Sequence, residues 1–234
     1  KITPIYMNSL KACAIWRIDT RGSMSAPTPR YPTVELDVPE GESGEWKIEK
    51  FTLDGDESIR RIMDMIDMRN GNGSRFCPNG TYYRLKRDGK VIMSNTPAEV
   101  RDHKFFAAEV RQRGGHVLIN GLGLGVALEM IMEHAELVTV VERSTDVIRL
   151  SGTHYLKKFA GKLEIVHADA FDYRPPKGAR YTCVWHDIWD KITADNLPEM
   201  GKLHRKYGKR CDWQDSWCKG ICQRESRRWK RALT

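Results

Sequence analysis

A chain of 234 residues, 40% hydrophobic with a mean hydropathy of −0.56, has room for one domain with a small appendage and suits a globular protein. It holds no apolar run near the ~18 residues a membrane helix needs, and residues 12–16 (ACAIW) are too short, and too soon closed by Arg17 and Asp19, for a secretory signal. The formal charge of +8 lies entirely in residues 201–234, where eleven Lys or Arg meet three acids, so residues 1–200 are neutral.

Residues 1–23 look foreign. Arg21-Gly22-Ser23-Met24 reads as the scar of an expression tag followed by an initiator methionine; the alternative is a genuine N-terminal strand. Residues 24–95 read as a small β-rich region. Within it, 45–53 alternates apolar and polar like a half-buried strand. Asp54 or Asp56 could cap a helix running to about Met68, where Ile59, Ile62, Met63 and Ile66 recur at helical spacing. Met63, Met65 and Met68 read as core. Residues 70–74 are a loop. Residues 82–86 and 90–94, joined across Arg87-Asp88-Gly89, give a strong hairpin signal because Asp-Gly suits the turn. Ser94 or Thr96 then caps a helix opening at Pro97, with Glu99 in its first turn.

Residues 116–125, HVLINGLGLG, carry the chain's most informative pattern. Val117-Leu118-Ile119 reads as a buried strand, and residues 126–132 as a helix. Between them Gly121, Gly123 and Gly125 make a turn that brings a ligand near bare backbone and free N–H groups. A dinucleotide fingerprint would need its third glycine at Val126, so that reading fails. The G-x-G-x-G spacing resembles class I S-adenosylmethionine (SAM) enzymes. Two later features agree with it. Residues 137–142 read as a second strand ending in Glu142, placed to accept both hydroxyls of a ribose, with Arg143 beside it. Residues 163–167 read as a third strand followed by Asp169-Ala170, where SAM enzymes bind the adenine amino group. The resemblance implies a nucleoside site of Asn120, Gly121, Leu122, Gly123, Gly125, Glu142, Arg143, Asp169, Ala170 and Asp187. Many such enzymes have an acid where Asn120 stands; Glu99 or Asp102 is the candidate substitute.

The order hairpin, helix, glycine-loop strand also resembles the polyamine (spermidine) synthases, which place hairpin and helix over the SAM pocket. Their GGGDGG-like loop, Gln and Tyr-His-Glu run are replaced here by 121–125, Ser94-Asn95 and Asp102-His103-Lys104. The run from hairpin to C-terminus is more similar to SAM-methyltransferase-like proteins of bacteriophages, implying a cytoplasmic protein, in the host if phage-encoded.

The helix after Glu142 is expected over 144–158. The fourth strand, 180–185, runs into His186-Asp187-Ile188-Trp189-Asp190, at the carboxyl end where open α/β sheets bind ligands. Polyamine synthases have a catalytic Asp there, and Asp187 matches it, with His186 and Trp189 as further catalytic candidates. An Asp can take a proton or hold an amine, and a Trp offers its face to a cation or base. The competing reading has Asp187 and Asp190 capping the next turn and Trp189 in the core. Glu99, Asp102, His103, Asp190, Trp213 and Trp217 are the candidate substrate contacts.

The basic segment 201–234 interleaves Trp213, Trp217 and Trp229 with its cations, a pattern for phosphate contacts and base stacking; the alternative is a solvated helix with its tryptophans packed on the sheet. Beyond Cys13, an odd count of five cysteines and no signal argue for reduced cytosolic thiols. His204, Cys211, Cys218 and Cys222 would follow one helical face, and they read as buried small hydrophobes rather than a zinc site.

The expected architecture is therefore an α/β, Rossmann-like SAM-methyltransferase sheet (96–200), truncated after its fourth strand, with a basic, Trp-rich helical extension (201–234). Its expected function is a SAM-dependent methyltransferase with nucleic acid as the favoured acceptor and no metal. An aminopropyltransferase using decarboxylated SAM and a non-catalytic SAM-binding protein are the alternatives, and a homodimer is compatible with any of them.

Overall fold

The computed structural model describes residues 31–71 and 74–232, together with the backbone of β1 (Arg17–Ile18) and β2 (Met24–Ser25). These two short strands pair antiparallel in a unit of their own that ends at Tyr31. The expected tag at 1–23 otherwise lies outside the described residues. Residues 32–234 form a second unit, built on two sheets.

The first sheet is antiparallel, in the order β3 (Gly41–Ser43), β4 (Trp46–Leu53), β5 (Gly80–Arg87), β6 (Lys90–Ser94). The expected hairpin is β5 and β6. Its turn residues Asp88 and Gly89 both take positive φ, 49° and 73°, which matches the twist of the strands they join. The helix between β4 and β5, α1 (Ser58–Arg69), forms where expected but buries none of its residues. Ile59 is 74% exposed, and Ile62, Met63, Met65, Ile66 and Met68 are also exposed. The reading of these methionines as core is therefore corrected. Helical spacing shows that an apolar face exists, not that a neighbour covers it, and α1, an insertion between two paired strands, keeps its apolar residues exposed.

The second sheet is wholly parallel. Its order is β11 (Cys211–Ser216), β10 (Tyr181–His186), β7 (His116–Asn120), β8 (Leu137–Glu142), β9 (Leu163–His167). Val117, Leu118 and Ile119 of the central β7 are fully buried, as an apolar strand covered on both faces should be. The helices after the hairpin are α2 (Pro97–Asp102) and α3 (Lys104–Arg113), and α4 (Val126–Glu129) follows β7. The expected helix after β8 runs as α5 (Thr145–Val147), a π turn (Ile148–Gly152) and α6 (Thr153–Lys158). Ser144 caps it, its hydroxyl accepting from the Val147 amide.

The chain then departs from expectation. Beyond β10, α7 (Leu197–Tyr207) leads to β11, which adds a fifth strand at the sheet edge, and α8 (Lys219–Ala232) closes the chain. The sheet is not cut short after four strands, and 201–234 is not simply helical. The sequence CDWQDS hides a strand because an edge strand is half solvated and carries polar residues. From β7 the chain builds β8 and β9 to one side, then crosses to place β10 on the other. That reversal, in a Rossmann-like α/β sheet, opens a crevice at the carboxyl ends of β7 and β10, the usual ligand position.

Candidate functional site

The glycine loop shapes the crevice by letting protein approach protein. At Gly121 (φ +96°) an added Cβ would lie 2.0 Å from the Asp187 carbonyl oxygen, so the loop meets the end of β10 backbone to backbone. At Gly123 a Cβ would lie 2.1 Å from Met93 Sδ, and the Leu124 amide donates to that sulfur at 3.2 Å. The hairpin thus rests on the loop. Gly125 packs on the Tyr155 ring, away from the cleft. The loop's amides are largely used internally: Gly121 donates to the Val141 carbonyl (2.8 Å), Leu122 to Glu142 Oε2 (2.9 Å) and Gly125 to the Leu122 carbonyl (2.9 Å). Of the bare backbone expected for a ligand, these loop amides are therefore already taken. With α4 only four residues long, the loop offers little helix dipole to a phosphate.

The cleft offers about 1090 Å³ between its walls, mouth included. Of the expected site residues, Gly121, Leu122, Gly123, Glu142, Arg143, Asp169, Ala170, Asp187, Trp189 and Asp190 line it from the strand ends, and Glu99, His103 and Trp217 from elsewhere. Glu142 Oε1 accepts from the Ser144 amide (2.8 Å) and Oε2 from Leu122, which leaves each oxygen a lone pair. Asp169 Oδ1 accepts from the Phe171 amide at 2.8 Å. Trp189 has its Nε1 donated to Glu199 (2.8 Å), so only its ring is offered. Asp190 is paired with Arg87, whose guanidinium lies 5.2 Å from the Trp46 ring centre. Trp46, Arg87, Ile92 and Met93 were missed as lining residues. The alternation in 45–53 and the Asp-Gly turn identify the strands, but not that the hairpin lies on the glycine loop.

The inner wall is acidic. Asp187, whose side chain is 17% exposed, has His103 Nε2 at 3.8 Å. Burial, reinforced by Glu99, Asp102 and Glu142, pushes its carboxyl up to about 8. Glu99, in the first turn of α2, accepts from the Ser94 amide through Oε2 at 2.6 Å and lines the cleft, and burial pushes it up to about 7. Burial drives His103 down to about 4. It is therefore neutral at pH 7 and gives Asp187 no ion pair, and its Nδ1 has no partner.

Four expected contacts are placed elsewhere. Asp102 turns to Arg75, which holds both its oxygens at 2.8 and 2.6 Å. His186 points to the opposite face of the sheet from Trp185, with Nδ1 2.8 Å from Asn120 Nδ2, Nε2 3.3 Å from Gln214 Oε1 and its ring against His204 and Tyr207. Burial lowers it to about 3. Strand alternation explains this, since Asp187, just past the strand, is the first residue free to enter the cleft. The catalytic reading of His186 is corrected, and Asn120, committed to it and fully buried, does not line the cleft. Trp213 is half-buried and stacks on Trp185 and Phe106, with ring centres 6.3 Å from each, so it packs against the core. His204, Cys211, Cys218 and Cys222 fall on a helix, a strand, a turn and another helix, not one helical face. Among the described residues no group of three His, Cys, Asp or Glu could hold a metal, and no helix is long and apolar enough to cross a membrane.

No family model matches the chain, and no curated protein matches it. It is similar to solved structures that include a candidate RNA methyltransferase from Pyrococcus horikoshii, at 17% identity over 55% of this chain and 61% of that one, TM-score 0.40. Others are the N-methyltransferase NodS from Bradyrhizobium japonicum WM9 (12%, 47% and 61%, TM-score 0.38) and the CcbJ methyltransferase from Streptomyces caelestis (16%, 49% and 45%, TM-score 0.38). The chain spans less than two thirds of the length of each of these three.

Proposed function

We propose that the cleft binds S-adenosylmethionine and that the chain is a class I SAM-dependent methyltransferase. The observation that carries this reading is the pairing of Glu142 and Asp169 across a cleft lined by the glycine loop, whose Gly121, Leu122 and Gly125 amides are already used. Two carboxylates suit a ligand with hydroxyls and an amine, while a four-residue α4 offers little dipole to a phosphate. Glu142 would accept the ribose hydroxyls and Asp169 the adenine amino group. When bound, SAM supplies a methyl group on a cationic sulfur, which leaves as a neutral thioether when the acceptor's lone pair takes the methyl. Asp187 would hold a nitrogen acceptor in line and take the proton that the new N–CH3 bond makes acidic. A cation nearby favours its ionised form, so ligand binding itself would prepare the base.

One observation favours a second reading. Glu99 and Asp187 face the cleft without a cationic partner, and such a wall would disfavour the carboxylate of SAM and suit decarboxylated SAM with a polyamine acceptor. Calorimetry against SAM, its decarboxylated form and S-adenosylhomocysteine separates the two. Binding of SAM or S-adenosylhomocysteine supports methyl transfer. Tighter binding of the decarboxylated form moves the assignment to aminopropyl transfer, and no binding of any of the three removes both.

A further inference from the structure

A second cleft lies between the C-terminal end of α1 and α8, with about 1250 Å³ of space including its mouth. Arg69, Arg75, Arg224 and Arg228 line it, and Ile192 and Ile221 supply apolar floor. Its two acids are Asp67 and Glu225, and Glu225 is engaged by the Ala194 amide. Arg75 is neutralised by Asp102. Arg228 donates one nitrogen to the Asn70 carbonyl at 2.7 Å, which ties α8 to the end of α1 and sets the groove's width. Arg69 and Arg224 are exposed and, among the described residues, have no carboxylate partner. Three guanidinium groups are thus available along one groove, where each can take an anionic oxygen in fork geometry.

The groove adjoins the SAM cleft. Arg75 lines the groove while its partner Asp102 is the neighbour of His103, which lines the cleft. The segment after β10 likewise supplies Trp189 and Asp190 to the cleft and Ile192 to the groove. On α8 the groove face carries residues 221, 224, 225 and 228. Trp229 follows roughly 100° further round the helix and is 65% exposed, an indole at the groove's edge.

We propose that this groove binds the phosphate backbone of a single-stranded nucleic acid, with Trp229 stacking a base, and so leads the strand towards the SAM cleft. Successive guanidinium groups match a repeating phosphate, and an exposed indole beside them matches unpaired bases, a combination that serves single strands rather than duplexes. The role of delivering an acceptor rests on the methyltransferase reading, but the binding does not. Loss of oligonucleotide binding and loss of SAM binding are therefore separate results.

The test is fluorescence anisotropy of a labelled oligothymidylate with the full chain and no SAM. Three phosphate contacts give a log–log salt slope near −2, or about tenfold to twentyfold weaker binding between roughly 50 and 200 mM salt. Changing Arg69, Arg224 and Arg228 to Gln together should weaken binding at least about tenfold at low salt and flatten the slope. Arg205→Gln with Arg227→Gln, exposed but outside the groove, should change it by no more than about twofold. Trp229→Ala should weaken oligothymidylate binding about fivefold or more while leaving inorganic polyphosphate binding unchanged. Melting temperatures of all variants report folding. No binding at low salt, an equal loss in the control pair, or duplex bound as tightly as single strand would overturn the proposal.

Discussion

Asp187→Asn should stabilise the protein, and the size of the effect should depend on pH. Burial beside Glu99, Asp102 and Glu142 raises the Asp187 carboxyl from 3.8 to about 8. The folded chain therefore holds this proton more tightly than the unfolded chain. The sign follows directly: stability falls as pH rises from the unfolded value near 4 to the folded value near 8, and is flat beyond. Four pH units at about 1.36 kcal/mol each set a ceiling of roughly 5–6 kcal/mol. The realised cost is smaller, because the side chain is 17% exposed and its acid neighbours share the repulsion. About 1–2 kcal/mol at pH 8 is expected, or a melting temperature roughly 2–8 °C higher for Asp187→Asn in a domain of this size. At pH 4, where the native carboxyl is already protonated in the folded chain, the two proteins should melt together. Scanning calorimetry at both pH values reads this. A variant less stable at pH 8, or one equally shifted at both pH values, would refute the account of the acidic wall.

The same acid predicts how ligand affinity moves with pH. A cationic ligand favours ionised Asp187, so SAM should bind more tightly from pH 6 to pH 9, by up to about 100-fold if the protonated form binds nothing; a flat profile in titration calorimetry would count against Asp187 facing the sulfonium. Glu142→Ala should weaken SAM at least about tenfold, through two lost hydrogen bonds to a charged acceptor. It should also lower the melting temperature, because the Leu122 and Ser144 amides lose their acceptor, at roughly 1–3 kcal/mol each. Trp213→Ala should cost about 1–3 kcal/mol of folding stability through lost packing against Trp185 and Phe106, less than for a fully buried ring because Trp213 is half-buried, while the protein that remains folded binds oligothymidylate as before.

Much of the cleft was legible in the sequence because its signals are local. Val117-Leu118-Ile119 before a glycine turn, Glu142 at the end of one apolar run and Asp169 after another each sit where a short pattern places them. Asp88-Gly89 fixed its hairpin because that turn needs two residues at positive φ. What stayed hidden depends on contacts between distant segments. The packing of Met93 onto Gly123 and the pairing of Arg87 with Asp190 bring Trp46, Arg87 and Ile92 over the cleft, and nothing within 45–53 or 82–94 announces it. The assignment of His186 failed by a single residue, because whether a strand end faces ligand or core turns on where the last hydrogen-bonded residue falls. β11 was hidden by its polar edge, and α1 misled because an apolar stripe reads the same whether or not a neighbour covers it.

A crystal structure with S-adenosylhomocysteine decides whether the cleft is a nucleoside site. The account predicts ribose hydroxyls within about 3.2 Å of the Glu142 carboxylate, the adenine amino group at Asp169, and the sulfur turned towards Asp187. A nucleoside lodged anywhere else, or a cleft where Glu142 meets no ribose, would contradict it.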